Sequence, residues 1–491
     1  MYSLILVLLV SLMLLLVYSF YMAYAVSIDE GKKEQEEIPT INDPNLKVIT
    51  VAQGLKRPTG MAFLGPNDFL VLEKNTGIVK RIVNGTLLSS PVLDVAVANE
   101  KERGMLGIAI QSSNLTNEKY KENRHDNGGN NSTYVFLYYT ESSGKDGNDN
   151  CPIINYCDKA GAPKGNMLYR YLFSHGKLVD PKLLLDLPAM PGSDHIGGHI
   201  EMGPDGNIYL ISGDGHSCSN GTCNNGTRNT VLYSKSANEK KGAEPNGRGG
   251  ILRVTQDGSA VSNNGKFGIL GERDPTNKYF AYGIRNSFGF DFDPLTGKLW
   301  DTENGPAFGD EINLVNQGFN SGWSKIQGIW PITNYTWLLP QGLIPPYRGY
   351  FENNNTTFVN SKLIDKKGLV DFNGKGKYSD PKFIWNLTVG VTALKFLNSD
   401  KLGEKYENDL FVGDYSHGRL YHFDLDSSRT KFVLNGSLTN RIAHTSDDKE
   451  LAQIIFGSGF DAITDLDVGP DGYLYVVSLK GGKIYKIVPN T

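Results

Sequence analysis

The fold is decided by the stretch Glu201-Met-Gly-Pro-Asp-Gly-Asn-Ile-Tyr-Leu-Ile-Ser-Gly-Asp214. Its Pro-Asp-Gly turn presets φ at the proline and supplies a left-handed position at the glycine, so the chain reverses tightly between two short strands. Similar units of turn and alternating strand occur at 61–82, 290–303 and 467–487. Few long segments repeat their apolar residues with a helical period. The pattern therefore predicts an all-β protein.

Repetition of one unit favours a β-propeller over a β-sandwich. Each unit has apolar faces that a neighbouring unit must bury, and the units recur over most of the chain. Long insertions at 111–165 and 216–248 make the spacing irregular, so the spacing does not fix the number of blades. We assign 46–491 to a single propeller domain, because a closed ring of sheets can hold so long a chain in one domain.

The N-terminus predicts export. The first 26 residues are almost entirely apolar, which is typical of a signal peptide or of a membrane-anchor helix. Ala23-Tyr24-Ala25 has the small-x-small form that signal peptidases accept, whereas the length of the apolar run favours an anchor that is retained. Residues 27–45 are rich in charge and predict a polar tether. Either alternative places the propeller outside the cytoplasm, either secreted or at the cell surface.

Cysteines and glycosylation sequons agree with export. The four cysteines form two close pairs, Cys151/Cys157 and Cys218/Cys223. Two disulfides are favoured over a zinc site with four sulfur ligands, since neither pair has the usual two-residue spacing. The Asn-x-Ser/Thr sites, which predict a glycoprotein, include Asn84, Asn114, Asn131, Asn220, Asn225, Asn334, Asn355, Asn386 and Asn435.

The charge balance excludes nucleic acid as the expected partner. The formal net charge is −4, and no run rich in Lys or Arg is present. Proteins that bind nucleic acids depend on such basic patches.

The segment 193–216 contains the strongest candidate for acid–base chemistry. Asp214 ends the strand after the turn, so the hairpin is expected to bring it back to His195. A carboxylate bonded to one ring nitrogen fixes the histidine tautomer and makes the other nitrogen a better base. Gly197 and Gly198 remove side-chain bulk beside His195, which would let a flat ligand approach. The alternative is a structural loop histidine paired with a turn aspartate.

A second constellation offers groups for anions and cations. Arg285 and Asn286 place a guanidinium and an amide at a strand end, where they suit carboxylates or developing oxyanions. The segment 301–313 offers carbonyl and carboxylate oxygens in irregular backbone, the ligands of a hard cation such as calcium. A plain Gly/Asp-rich turn is the alternative, and the register of an EF-hand is absent. The charged corner at 100–104 leads directly into a strand, and its alternative is a solvated turn.

Taken together, these motifs resemble the soluble quinoprotein aldose dehydrogenases, the glucose/sorbosone dehydrogenase family. The resemblance is ordered along 50–488 and rests on 102–109, 194–198, 203–206, 213–214, 282–286, 303–306 and 309–314. It implies a six-bladed β-propeller with pyrroloquinoline quinone and calcium as cofactors. It also implies that an aldose sugar is oxidised to the lactone and that an external electron acceptor reoxidises the quinone.

The resemblance also implies a role for each site residue. His195 is the implied general base and Asp214 the carboxylate that orients it, while Arg285 stabilises charge that develops on the quinone. The implied cofactor contacts are Glu102, Asp194, Arg285, Asn286 and Arg419, with His417 behind Arg419. The implied calcium ligands are the carbonyls of Gly305 and Pro306, and Asp310 and Glu311 at a second, structural calcium. His199 departs from the family pattern, which often has Arg there, and could alter substrate choice.

Two other functions remain open on the sequence alone. A non-catalytic cell-surface propeller that binds protein or glycan would suit the sequons and insertions, but it gives no reason for His195, Asp214 and Arg285 together. A calcium-dependent hydrolase would need several convergent carboxylates at one central metal. We do not expect Asp194, Asp214, Glu303 and Glu311 to converge.

Overall fold

A computed structural model of the protein describes residues 38–111, 132–144, 163–189, 192–215, 234–262, 268–331 and 368–490. In its first half the strands are β1 (Thr40–Ile41), β2 (Leu46–Gln53), β3 (Pro58–Gly65), β4 (Asp68–Glu73), β5 (Ile78–Val83), β6 (Thr86–Leu87), β7 (Leu93–Asp94), β8 (Met105–Gln111), β9 (Thr133–Ser142), β10 (Pro163–Ser174), β11 (Lys177–Leu187), β12 (Gly197–Met202), β13 (Ile208–Ser212), β14 (Gly250–Val254) and β15 (Tyr279–Tyr282). The later strands are β16 (Gly289–Phe292), β17 (Leu299–Glu303), β18 (Phe308–Val315), β19 (Phe319–Asn320), β20 (Ile326–Gln327), β21 (Trp330–Pro331), β22 (Lys377–Tyr378), β23 (Phe383–Leu387), β24 (Val391–Phe396), β25 (Leu410–Asp414), β26 (Leu420–Phe423), β27 (Ile442–Ala443), β28 (Ile455–Ser458), β29 (Ile463–Val468), β30 (Leu474–Ser478) and β31 (Lys483–Pro489).

Helices are short in this part of the chain. The only α-helix described is α1 (Asp448–Leu451). The 3-10 helices are Lys235–Ala237, Thr276–Lys278, Glu404–Tyr406 and Gly436–Asn440. Of the residues described, none belongs to a helix with the length and apolar character needed to cross a membrane. The all-β prediction is confirmed.

The strands form six larger sheets and one small sheet. The larger sheets have the strand orders β3-β4-β5-β6 with β7 also on β5, β8-β9-β10-β11 read from its first strand, β12-β13-β14-β15-β19-β22, β16-β17-β18-β23-β27, β24-β25-β26-β28-β1, and β29-β30-β31-β2. The small sheet pairs β20 with β21. In each larger sheet the first three strands pair antiparallel in chain order.

The larger sheets are arranged around a closed cycle. Their first strands, which we call the inner strands (β3, β8, β12, β16, β24 and β29), each contact the inner strand of the next sheet, and β29 returns to β3. Six apolar clusters lie between neighbouring sheets; one of them joins Trp300 and Trp385 to Tyr421 and Phe423. A propeller-like arrangement is therefore confirmed. The larger sheets differ in strand number, and the predicted number of six blades stays a prediction.

The two ends of the propeller chain meet in one sheet. Strand β2 pairs antiparallel with β31, from Leu46 opposite Pro489 to Gln53 opposite Lys483. Their sheet also contains β29 and β30, so the N-terminal strand completes a sheet made from the C-terminus. This pairing closes the cycle with backbone hydrogen bonds.

The predicted tether is too long at its C-terminal end. Thr40 and Ile41 form β1, which pairs with Ser458 and Gly457 of β28. The Ile41 side chain packs against the apolar cluster that contains Leu46 and Val48. The charge-rich composition of 27–45 hid this short strand, because two residues of an edge strand add little to the average of the segment.

Several predictions lie outside the described residues. These are the segment 1–26, most of the tether, all four cysteines, and the sequons at Asn114, Asn131, Asn220, Asn225, Asn334 and Asn355. Of the remaining sequon residues, Asn84 and Asn435 are exposed and Asn386 is half-buried.

Candidate active site

The hairpin β12–β13 brings His195 and Asp214 together, as predicted. His195 directly precedes the hairpin and Asp214 follows it, and the pairing of Gly197 with Ser212 aligns the two ends. His195 Nδ1 lies 2.7 Å from Asp214 Oδ1. Both residues are buried, with His195 7% and Asp214 0% exposed. Because the ionised carboxylate only accepts, the Nδ1 atom carries the proton and Nε2 is left as the basic nitrogen.

The glycines around His195 allow neighbouring segments of the chain to pack closely and do not leave space for a ligand. A Cβ atom on Gly213 would lie 2.4 Å from the His195 carbonyl oxygen. One on Gly198, which has a φ of +115°, would lie 2.7 Å from the Leu106 side chain in β8. The prediction that Gly197 and Gly198 clear space for a flat ligand is therefore wrong, because neighbouring strands already occupy that space.

Asp214 also connects the base to Arg285. The backbone N–H of Asp214 donates to the Arg285 carbonyl at 2.8 Å. The Arg285 Nη1 atom donates to the carbonyls of Asn304 at 2.8 Å and Gly305 at 3.1 Å. The Arg285 backbone N–H is held by Glu303 Oε1 at 2.6 Å. The guanidinium thus lies beside the predicted acid–base pair, at the loop that was predicted to bind calcium.

Glu102 joins the same network from a neighbouring sheet. Its Oε2 atom accepts from the Asn286 Nδ2 atom and from the Ile196 backbone N–H, both at 3.2 Å. Glu102 precedes β8, and Asn286 lies between β15 and β16. The contact therefore joins the segment before one inner strand, β8, to the segment before another, β16. The structure brings together five predicted residues: His195, Asp214, Arg285, Asn286 and Glu102.

Two buried polar atoms in this network are suited to a ligand. Arg285 Nε and Asn286 Oδ1 have no hydrogen-bond partner among the described residues. Burying such atoms without a partner costs free energy, about 1–3 kcal/mol for each group. A donor from Arg285 and an acceptor from Asn286 would fit a flat polar cofactor that carries both carbonyl or carboxylate oxygens and N–H groups.

Asp194 is directed away from the base. Its Oδ2 atom forms an ion pair with the half-exposed Lys101 side chain at 2.8 Å. The backbones next to Lys101 and Asp194 are also hydrogen-bonded, because the Glu102 N–H donates to the Ser193 carbonyl at 3.1 Å. Asp194 therefore lies at the edge of the site, and its predicted cofactor contact stays a prediction.

Asp310 holds the predicted calcium loop. One oxygen accepts the Gly305 N–H at 2.9 Å, and the other accepts the N–H groups of Val389 and Gly390 at 2.8 and 2.7 Å. Burial raises the pKa of Asp310 to about 6, although these bonds oppose the shift. Because three backbone donors occupy its carboxylate, Asp310 acts as an anchor between β18 and the start of β24. No contact of Pro306 with another site residue is described.

Glu311 faces a different, acidic pocket. It is opposite Glu303 in the pairing of β17 with β18, and both carboxylates accept from the Ser321 hydroxyl, at 2.5 Å for Glu303 and 3.1 Å for Glu311. Asp301 and Asn313 form the next pair on the same face, two residues along each strand. Neighbouring residues of a strand point to opposite faces, so Asp310 cannot share this pocket. Asp310 and Glu311 therefore do not share one pocket, and Glu311 lies with Asp301 and Glu303; the predicted binding of calcium by Asp310 and Glu311 stays a prediction.

The acidic pocket contains three buried carboxylates. Asp301, Glu303 and Glu311 are 0–1% exposed. Both Asp301 oxygens and Glu311 Oε2 have no hydrogen-bond partner among the described residues. Burial raises the pKa of Glu303 to about 7, and burial together with neighbouring carboxylates raises the pKa values of Asp301 and Glu311 well above their usual range. The four carboxylates of Asp194, Asp214, Glu303 and Glu311 do not converge at one point: Glu303 and Glu311 share Ser321, whereas Asp194 and Asp214 lie elsewhere.

Arg419 lies in the β25–β26 turn. Its guanidinium donates to the Ser446 carbonyl at 3.0 Å and forms an ion pair with Asp448, and it makes no described contact with the other predicted site residues. The turn itself is fixed by Asp414, which accepts the His417 N–H at 2.7 Å. The predicted cofactor contacts of Arg419 and His417 stay predictions.

His199 belongs to a separate cavity of about 560 Å³. The cavity is lined by His199, Glu201, Lys395, Asp465 and Asp467 together with apolar residues of the inner strands. Burial, reinforced by Lys395, lowers the pKa of His199 to about 3. The structure thus gives no contact through which His199 would select a substrate.

Sequence reasoning missed Trp323 and Ser321. The indole Nε1–H of Trp323 donates to Asp214 Oδ2 at 2.8 Å, and Ser321 bridges the two glutamates. No strand repeat marks their segment. A signal for the acidic pocket was present, because Asp301/Glu303 and Glu311/Asn313 each place polar side chains two residues apart.

Comparisons with known proteins identify the family of this chain. The family model described as "Glucose / Sorbosone dehydrogenase" matches residues 55–335. Aldose sugar dehydrogenase YliI of Escherichia coli is 24% identical over 447 residues, which cover 90% of this chain and 93% of that protein. Quinoprotein glucose dehydrogenase B of Acinetobacter calcoaceticus is 23% identical over 477 residues, covering 90% and 87%.

Solved structures support the same fold. The apo form of the soluble aldose sugar dehydrogenase from Escherichia coli has a TM-score of 0.58 at 20% identity, over 91% of this chain and 100% of that one. The PQQ-bound aldose sugar dehydrogenase from Streptomyces coelicolor has a TM-score of 0.55 at 19% identity, over 92% and 100%.

Proposed function

Because this chain belongs to the glucose/sorbosone dehydrogenase family, we propose that it is a quinoprotein dehydrogenase that oxidises an aldose at the anomeric carbon to the lactone. Relatives named aldose sugar dehydrogenase and quinoprotein glucose dehydrogenase support this substrate class and cofactor. The observation that supports the proposal most directly is the 2.7 Å contact between His195 Nδ1 and Asp214 Oδ1, beside Arg285.

Arg285, Asn286 and Glu102 would hold pyrroloquinoline quinone. Arg285 Nε and Asn286 Oδ1 offer a buried donor and a buried acceptor that have no partner among the described residues. When bound there, the quinone would accept the hydride from the sugar. Asp194, at the edge of this network, and Arg419, which makes no described contact with it, are proposed as additional contacts on the basis of the family resemblance.

His195 would act as the general base. With its Nδ1 proton donated to Asp214, the Nε2 atom can accept the proton of the anomeric hydroxyl. Asp214 then faces the imidazolium that forms, and its negative charge stabilises that state. Arg285 supplies a fixed positive charge beside the reacting groups, where negative charge grows during the transfer.

Calcium would bind in two places. The carbonyls of Gly305 and Pro306 are hard oxygen donors, and the Gly305 carbonyl faces the Arg285 side chain at 3.1 Å. The pocket of Asp301, Glu303 and Glu311 would hold a structural calcium, because a divalent cation removes the repulsion between buried carboxylates.

We further propose that the six larger sheets are six propeller blades, supported by the closed cycle of inner strands. The apolar segment 1–26 would export the chain, as a cleaved signal peptide or as an anchor. An external electron acceptor would then reoxidise the enzyme outside the cytoplasm.

Reconstitution tests this function. Purified protein is incubated with pyrroloquinoline quinone and calcium, and dye reduction is measured with several aldoses. We expect turnover with at least one sugar and retention of quinone absorbance after gel filtration. The matched control, His195→Gln, should retain the quinone and lose turnover by about a thousandfold, within the range for loss of a general base. No retained absorbance and no turnover in the natural chain would reject the function, and full turnover in His195→Gln would reject the mechanism.

A further inference from the structure

Trp323 contacts both halves of the candidate site. Its indole Nε1–H donates to Asp214 Oδ2 at 2.8 Å, while the other oxygen of that carboxylate lies 2.7 Å from His195 Nδ1. The Arg285 Cζ atom is 5.4 Å from the centre of a Trp323 ring, within the range of a cation–π contact. Trp323 is 1% exposed, so water does not compete for these contacts.

The backbone around Trp323 is itself held by the site's own elements. Its N–H donates to the Gly283 carbonyl at 3.0 Å, two residues before Arg285. Its carbonyl accepts from Asn238 Nδ2 at 2.7 Å. The next residue, Ser324, donates its N–H to the Ala237 carbonyl at 3.0 Å. These bonds fix the position of the indole relative to Arg285. The indole N–H is therefore a hydrogen-bond donor in a fixed position for the Asp214 carboxylate.

A carboxylate held through one oxygen can rotate about its Cβ–Cγ bond, because this torsion has a broad energy minimum. Two donors on two oxygens fix the carboxylate plane. Asp214 accepts from His195 on Oδ1 and from Trp323 on Oδ2. Loss of the indole donor would leave a buried carboxylate oxygen with fewer partners and free the plane to turn away from the imidazole.

We propose that Trp323 is a positioning residue: it fixes the Asp214 carboxylate so that His195 keeps its proton on Nδ1 and presents Nε2 as the base. The use of Nε2 in sugar oxidation rests on the proposed function. The tautomer of His195 does not, and it can be measured without quinone or sugar.

The test compares the natural chain with Trp323→Phe by ¹⁵N-histidine NMR on quinone-free protein. The substitution keeps an aromatic ring near Arg285 and removes the N–H. The His195 signals are assigned by their loss in His195→Gln. We expect the Nδ1–H tautomer in the natural chain and a mixture of tautomers in Trp323→Phe. With quinone bound, kcat should fall by about tenfold or more, the usual effect of losing a hydrogen bond to a charged group, and quinone affinity should change little.

Trp385→Phe is the matched control. Trp385 is also completely buried, but its Nε1 has no hydrogen-bond partner among the described residues. The same loss of an indole N–H away from the site should leave the His195 tautomer and kcat unchanged. Equal effects in both variants would overturn the positioning role, because they would reflect general packing.

A double-mutant cycle adds a second readout. In an Asp214→Asn background, Trp323→Phe should cause little further loss of kcat, since residues that act through one another are not additive. Fully additive losses, or a Trp323→Phe variant with the natural tautomer and kcat, would overturn the proposal. If the natural chain binds no quinone but its tautomer still responds to Trp323→Phe, the proposed function fails and the positioning role stands.

Should Trp323→Phe not fold, the bond can be tested from its other end. The chain has five tryptophans, and their indole N–H signals can be resolved with ¹⁵N-tryptophan labelling. We expect Asp214→Asn to shift the signal of one buried indole. Spectra with identical indole signals would overturn the proposal.

Discussion

Lys74 is a buried lysine at the end of β4, close to Glu102. Its Nζ atom contacts Asn75 Oδ1 at 3.1 Å and the Asn99 carbonyl at 3.4 Å. Burial lowers the pKa of Lys74 to about 7, and Arg57 adds to the shift. Between this pKa and the normal lysine value, the unfolded chain binds one more proton than the folded chain, so the free energy of unfolding rises with pH.

This sign gives a stability prediction. Between pH 7 and the normal pKa of lysine, the contribution of Lys74 to the free energy of unfolding should rise by up to about 1.4 kcal/mol per pH unit. Lys74→Met should remove this rise, which urea unfolding at several pH values between 7 and 10 would measure. The control is Lys47→Met, at an exposed lysine of β2. Parallel pH dependence in Lys74→Met and the natural chain would contradict the prediction.

The acidic pocket gives a prediction on metal removal. Asp301, Glu303 and Glu311 are buried together with unpartnered oxygens. Chelation should therefore lower the melting temperature, and calcium at about a hundred times its dissociation constant should stabilise the fold by about 2.7 kcal/mol. Glu311→Gln should reduce this calcium dependence in calorimetry. An unchanged melting temperature on chelation would argue against a cation in the pocket.

At the residue scale, the sequence predicted those contacts of the site that form between residues close together in the chain. The hairpin length was enough to pair His195 with Asp214. Trp323 is 109 residues from Asp214 in the chain, so no local pattern could relate them. Asp310 shows the same limit, because its partners Val389 and Gly390 lie about 80 residues away, in the connection between β23 and β24.

Among the elements, the loop between β17 and β18 is fastened by Asp310 to the start of β24. An amide at this position replaces one accepting oxygen with a donor that faces backbone N–H groups. Asp310→Asn should therefore destabilise the protein by about 1–3 kcal/mol, the cost of an unsatisfied buried donor. Urea unfolding would measure this change. Calcium dependence of the melting temperature should persist, and its selective loss with unchanged stability would instead identify Asp310 as a calcium ligand.

The sequence predicted the long hairpin strands better than the short strands. The repeated turn signals located β3–β4, β12–β13, β16–β17 and β29–β30. Short strands such as β1 and β19 have only two residues each and are held by pairing with distant strands. Their existence depends on tertiary contacts, which override weak local preference.

For the whole molecule, closure depends on the N-terminal strands. Removing residues 1–39 leaves β1 and β2 intact, so this truncated chain should keep the melting temperature of the full chain. Removing residues 1–53 deletes both strands and leaves β31 paired only with β30, and we expect a large loss of melting temperature or failure to fold. Circular dichroism and gel filtration would distinguish the two. Equal stability of both truncations would show that closure does not need this pairing.

The pairing of β2 with β31 also determines when folding can finish during synthesis. Strand β2 is translated long before β31, its hydrogen-bonding partner. Throughout the intervening elongation, one edge of the nascent sheet has no native partner, and unpaired strand edges are templates for aggregation. The edge of β2 that faces β31 in the folded protein therefore stays exposed in the growing polypeptide until β31 has been translated.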